Sequence, residues 1–167
     1  MAAKRTVVPL SIALAVFAAD FASKSCIMRT FALGEGKAVV KGFFNIVRVH
    51  NRGAAFGFLN SPDINWQFWL FFAATLAALA VIVRMIMTSK WDAVLYCGFG
   101  LIVGGAAGNL LDRLRFRYVV DFLDFCWGDL HFPAFNIADS AICLGTFLVA
   151  WCMLFRLNLQ GSESGGE

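Results

Sequence analysis

The stretch "WQFWLFFAATLAALAVIVRMIM", Trp66–Met87, carries one charged residue, Arg84. It matches the roughly 20 apolar residues needed to cross a bilayer core. The tryptophans of its opening, "NWQFWLFF", suit the membrane–water interface. Working outward, three more runs have the same character: Val7 to about Met28, Ala93 to about Leu111 and Ala134 to Phe155. These predict a polytopic α-helical membrane protein with four transmembrane helices. Composition agrees: 60% of the residues are hydrophobic and 15% charged, against about 45–50% and 25% in soluble domains. Most apolar surface must therefore face lipid.

The length of 167 residues leaves room for one domain. We read residues 1–157 as a single membrane domain and 158–167, ending "GSESGGE", as a polar, disordered tail. A net charge of +3 with scattered basic residues gives no nucleic-acid surface. The five cysteines (Cys26, Cys97, Cys126, Cys143, Cys152) show no CxxC spacing and read as small hydrophobes.

Start signals accompany the spans. Ser61 offers an N-cap with Pro62 at the first helical position, and Pro133 is expected to open the fourth span. Lys4-Arg5 before an uncharged run also fits a secretory signal peptide, but apolar residues resume after Asp20 and no A-x-A site follows. A retained first span is the better reading. Within it Lys24 lies one helical turn from Asp20, a pair that would neutralise itself near the interface. Between the first two spans, about residues 29–60, "AVVKGFFNIVRVHN" is rich in β-branched and aromatic residues, with a turn at Lys41-Gly42. It predicts a small β-rich module outside the membrane core. Gly100, Gly104 and Gly108 form a small-xxx-small stripe, a helix-packing face without chemistry.

Charge counting leaves the orientation open. Arg29, Lys37, Lys41, Arg48, Arg52, Arg113, Arg115 and Arg117 fall on one side, against Lys4, Arg5, Arg84, Lys90 and Arg156 beside the termini. Taken alone, the positive-inside rule would put the termini outside.

For chemistry, the histidines His50 and His131 lack metal-ligand spacing, and no HExxH occurs, so no metal site is expected. Ser140 with His131 is a remaining nucleophilic option. Carboxylates are better represented. Asn109 and Asp112 share a helical face where the third span emerges, and Asn136 and Asp139 repeat that spacing where the fourth enters. Asp121, in "YVVDF", lies on the connection between them. Two aspartates facing each other cannot both ionise cheaply, so one can act as base while the other donates a hydrogen bond. A carboxylate-pair hydrolase, a proton-coupled carrier using Asp139 and a structural membrane protein all remain open on pattern alone. Asp112 beside Arg113 reads equally as an ion pair, and Asp121 and Asp124 as solvated loop residues.

Together the blocks "DFASK" (Asp20, Lys24), "HNRGAAFGFL" (Asn51), "GNLLDRLRFRYVVDF" and "FPAFNIADSAI" resemble the bacterial lipoprotein signal peptidases (signal peptidase II), a family of intramembrane aspartyl proteases. The resemblance covers the chain up to its tail. It implies a catalytic pair at Asp121 and Asp139, surrounded by Asn51, Asn109, Asp112, Arg113 and Asn136, with Asp20 and Lys24 as a structural pair. It also implies an enzyme acting in membrane lipid on diacylated prolipoproteins and cutting before the lipidated cysteine; we expect a monomer without metal or cofactor. The implied location is the bacterial cytoplasmic membrane, with cytoplasmic termini and the site near the extracytoplasmic face. Arg117 stands where the family pattern leads one to expect glycine, and Asp124 is the rival to Asp121.

Overall fold

The computed structural model describes residues 2–53, 66–90 and 92–156. The expected Ser61–Pro62 cap, most of the run after Gly53 and the polar tail lie outside these residues. Helix α1 (Ala2–Thr30) leads into strands β1 (Gly36–Val40) and β2 (Phe44–Asn51). Helices α2 (Trp66–Thr88) and α3 (Ala93–Phe116) follow, then strands β3 (Val119–Trp127) and β4 (Leu130–His131) and helix α4 (Ile137–Trp151), which continues as a π-helical turn over Cys152–Arg156. Among the described residues, four helices are long and apolar enough to cross a membrane.

Helix α3 is the central one. Its most apolar window is 56% buried against 6% for α2, and it packs chiefly on α4 and α1. Its glycines make this possible. A Cβ on Gly104 would lie 2.6 Å from the Ala13 carbonyl oxygen of α1, and one on Gly108 would lie 2.5 Å from the Asp20 carboxylate. A Cβ on Gly105 would run into the Ala138 backbone of α4. The stripe is thus a packing face, as its spacing predicts, and at Gly108 it also seats a charged group.

At the opposite end, Leu95, Tyr96, Phe99, Ile82, Val149 and Cys152 form a buried cluster between α2, α3 and α4. The α2–α3 turn is closed by the Tyr96 hydroxyl, which donates to the Ile86 carbonyl at 2.7 Å. The Asp92 side chain caps α3 by accepting from Leu95 N–H at 3.0 Å.

The third span is longer than its apolar run, continuing five residues past Leu111 to Phe116. Asn109 and Asp112 therefore lie inside the helix rather than at its exit, both buried. The helix ends at Arg117, in the left-handed region (φ 65, ψ 13), whose N–H bonds the Arg113 carbonyl. Glycine suits this position, and a side chain there costs about 1–2 kcal/mol. The Arg117 guanidinium stacks 3.8 Å from the Phe68 ring centroid on α2, an attraction that offsets part of the strain. At the fourth span, Pro133 does not open the helix; Asn136 is the N-cap and α4 starts at Ile137.

The β module is larger than its sequence signal. The expected hairpin is present, Lys37 opposite Ile46 across the turn at Gly42, which takes φ 73. But β3 and β4, from the α3–α4 connection, join the same antiparallel sheet in the order β1–β2–β3–β4. Asp121 pairs with Val49, and Val119 with Asn51. Val120 and Phe122 point into a cluster with Ile27, Met28, Phe31 and Ile137, fastening the sheet to the ends of α1 and α4. The two-residue period of a strand then turns Asp121 to the other face.

Gly104→Val should lower the unfolding midpoint in detergent by the equivalent of about 1–3 kcal/mol, as expected for overpacking against backbone that cannot yield; thermal unfolding monitored by circular dichroism measures this.

Candidate active site

Two aspartates reach one cavity from different elements. Asp121 comes from the middle of β3 and is 2% exposed. Its Oδ2 accepts from Asn51 Nδ2 at 3.0 Å and its Oδ1 from Asn136 Nδ2 at 2.7 Å. The Asn51 amide is oriented by Gly53 N–H, which donates to its Oδ1 at 3.0 Å. Asp139 sits in the first turn of α4, with Oδ1 accepting from Asn109 Nδ2 at 2.8 Å and Oδ2 from the Asn136 backbone N–H at 3.2 Å.

Asn136 joins the two. As the N-cap of α4, its Oδ1 accepts from Asp139 N–H at 2.9 Å, completing a reciprocal capping box. Its amide nitrogen faces Asp121 and lies 3.3 Å from both the Asn109 Oδ1 and the Val120 carbonyl. A residue that local sequence reads as a helix cap therefore also sets the relation between two carboxylates.

Behind this layer lies a buried ionic network. Lys24 Nζ stands 2.7 Å from Asp20 Oδ2 and 3.0 Å from Asp112 Oδ2, and it donates to Asn109 Oδ1 at 2.9 Å. The Lys24 and Asp20 side chains are almost wholly buried. Asp20 Oδ1 accepts from the Ala138 N–H of α4 at 2.9 Å, and Asp112 Oδ2 from the Val120 N–H of β3 at 3.1 Å. Asp20 and Lys24 are thus not a self-contained pair, and Asp112 is partnered by Lys24 rather than by its neighbour Arg113. Arg113 instead lines the cavity and reaches the Gly53 carbonyl at 3.4 Å, its guanidinium 5.2 Å from the Phe71 ring centroid.

The cavity measures about 970 Å³. Asn51, Asn109, Arg113, Asp121 and Asp139 form its polar end, while Val49, Val119, Phe135, Ile142, Leu144 and Phe147 give apolar walls. Burial, then the charge of Asp139, raise the Asp121 pKa to about 7; the hydrogen bonds from Asn51 and Asn136 and the Lys24 charge oppose the rise.

The rival carboxylate lies elsewhere. Asp124 is three residues along β3, so it faces away from Asp121. It accepts from Asn45 Nδ2 at 2.8 Å and pairs with His131 Nδ1 at 2.9 Å. That pairing also removes His131 as a base for Ser140, whose hydroxyl donates to the Asn136 carbonyl at 3.0 Å. His50 stacks on Tyr118 with ring centroids 3.7 Å apart. Burial, then Arg48 and Arg52, hold its pKa below the usual value. The strand that carries Asp121 escaped prediction, although "VVDFLDFCW" has the β-branched and aromatic content that signals one.

Fold and site together define a multi-pass membrane protein with two aspartates, bridged by Asn136, at the polar end of an apolar cavity. Residues 12–155 match the family model described as signal peptidase (SPase) II, and the chain belongs to the signal peptidase II family. It is 51% identical over 147 residues, 88% of each chain, to the lipoprotein signal peptidase of Nitratidesulfovibrio vulgaris. To that of Oleidesulfovibrio alaskensis it is 54% identical over 138 residues, covering 83% of this chain and 88% of the relative. Two solved structures, each described as a bacterial membrane enzyme determined by the in meso method, superimpose with a TM-score of 0.78. One is 29% identical, covering 97% of this chain and 93% of that one; the other is 31% identical, covering 90% and 94%.

With the Asp121 pKa raised to about 7, the folded chain keeps a proton that the unfolded chain releases near pH ~4. The associated stability is complete below about pH 4 and is lost as pH rises through about 7. The unfolding midpoint should therefore fall between about pH 5 and pH 8, and fall less in Asp121→Asn, as measured by thermal scans in matched buffers.

Proposed function

We propose that this chain is an aspartyl endopeptidase that removes the signal peptide from diacylglyceryl-modified prolipoproteins, cutting just before the lipidated cysteine. The observation that carries this reading is the Asn136 bridge between Asp121 and Asp139 at the wall of an apolar cavity. Membership of the signal peptidase II family and relatives named lipoprotein signal peptidase support it.

In this reading Asp121, whose pKa is raised to about 7, holds the shared proton, fully so below neutral pH. Asp139, at the N-terminus of α4 where the helix dipole favours negative charge, is the base. Water attacks the scissile carbonyl carbon as Asp139 takes its proton, while Asp121 passes its own proton to the carbonyl oxygen, giving a neutral gem-diol. Collapse then breaks the C–N bond. The departing nitrogen takes the proton held by Asp139, and a gem-diol hydroxyl returns one to Asp121, so the pair ends as it began. Neither metal nor cofactor enters this cycle.

The site's layout suits such a substrate. Apolar walls accept an acylated or helical segment from lipid, and the asparagines hold the polar end in place. In this reading the sheet lies over the extracytoplasmic end of the bundle and the termini are cytoplasmic. The protein is a multi-pass component of the bacterial cytoplasmic membrane working as a monomer.

A gel-shift assay on diacylated prolipoprotein tests this. Asp121→Asn and Asp139→Asn should each lower turnover by about 10²–10⁴-fold or more while leaving the protein folded. Asp124→Asn should stay active, because Asp124 faces Asn45 and His131. Turnover should decline as pH rises through about 7, where Asp121 loses its proton, and EDTA should leave the rate unchanged. Robust cleavage by purified Asp139→Asn protein would sink the mechanism.

A further inference from the structure

Lys24 has no place among the reacting groups, yet among the described residues it is one of the largest fully buried side chains. Three oxygens surround its ammonium: Asn109 Oδ1 accepts a hydrogen bond at 2.9 Å, and Asp20 Oδ2 at 2.7 Å and Asp112 Oδ2 at 3.0 Å are ion-pair partners. Each of the three passes the constraint forward. Asp20 holds the N–H of Ala138, the residue before Asp139, and Asp112 holds the N–H of Val120, the residue before Asp121. Asn109, with its oxygen turned to Lys24, must turn its amide nitrogen outward, where it donates to Asp139 Oδ1 at 2.8 Å.

We propose that Lys24 is a positioning residue for the aspartate pair. Through Asp20 and Asp112 it fixes the backbone that carries both aspartates, and through Asn109 it fixes the orientation of the Asp139 carboxylate. The inference rests on the reading of Asp121 and Asp139 as the catalytic pair. It accounts for a cation buried with two carboxylates beside a site that has acidic residues of its own. A pair serving only to neutralise itself, as Asp20 and Lys24 read in sequence, needs neither Asp112 nor Asn109.

Among the described residues, charged groups facing Asp121 include Asp139 from α4, Arg113 and Asp112 from α3 and Lys24 from α1, while β2 contributes the neutral Asn51. Of these, Lys24 favours the ionised form of Asp121. Its removal should shift the high-pH loss of activity to still higher pH.

Lys24→Met alone leaves two buried carboxylates without a cation and is a poor probe. The informative variant is Lys24→Gln combined with Asp112→Asn, which removes one charge of each sign and keeps an acceptor for the Val120 N–H. It should be assayed with the wild type and Asp139→Asn on diacylated prolipoprotein, recording kcat, KM, the pH profile and the unfolding midpoint. The double variant should fold, bind substrate with little change in KM and lose about 100-fold in kcat, the scale expected when reacting groups are misplaced by about 1 Å. Wild-type kcat in the folded variant would overturn the proposal. So would unfolding of the variant at growth temperature, which would assign Lys24 to stability alone. If the wild type itself fails to cleave, or Asp139→Asn cleaves well, the reading of the pair as catalytic fails instead.

Discussion

One buried ammonium, that of Lys24, constrains the polar heart of this molecule. It balances charge with Asp20 and Asp112 where water does not reach, and each carboxylate is bonded in turn to backbone of another element. Removing one partner from such a buried set leaves an uncompensated charge, which commonly costs about 3–5 kcal/mol. The geometry of α1, α3, β3 and α4 at the site is therefore coupled. None can shift far without stranding a charge or an N–H group.

The close packing of helices is what lets the network form. Without side chains at Gly104 and Gly108, α3 lies against the backbone of α1 and against the Asp20 carboxylate itself. Asp20 and Lys24 can then reach both α3 and the start of α4. The sheet supplies the second placement by a different device. The strand pleat buries Val120 and Phe122 against α1 and α4 and so presents Asp121 to the cavity. Helix capping places one aspartate and strand alternation the other, and Asn136 ties the two together.

Much of the architecture is legible in the chain itself. Span two, read over Trp66–Met87, is helical throughout that stretch, and the hairpin turns where Lys41-Gly42 indicates. Short-range signals misled where tertiary partners intervene. Pro133 reads as a helix start, but the capping box of Asn136 and Asp139 places that start at Ile137. Asp112 reads as the partner of adjacent Arg113, but i,i+1 side chains on a helix point apart, and Lys24 supplies the cation instead. Arg117 reads as a departure from glycine, and the turn keeps the left-handed geometry that glycine would adopt, with Phe68 against the arginine.

By itself the sequence determined that the chain crosses the membrane, that a β-rich module follows the first span, and that asparagine and aspartate recur three residues apart in the third span and at the start of the fourth. These follow from hydropathy, β propensity and helical spacing, all properties of neighbouring residues. Only the tertiary structure decided that Asp121 rather than Asp124 shares a cavity with Asp139, that β3 joins the sheet, and that Lys24 underpins both aspartates. Those outcomes depend on which face of a strand is buried and how closely two helices approach, and contacts between residues far apart in the chain decide both.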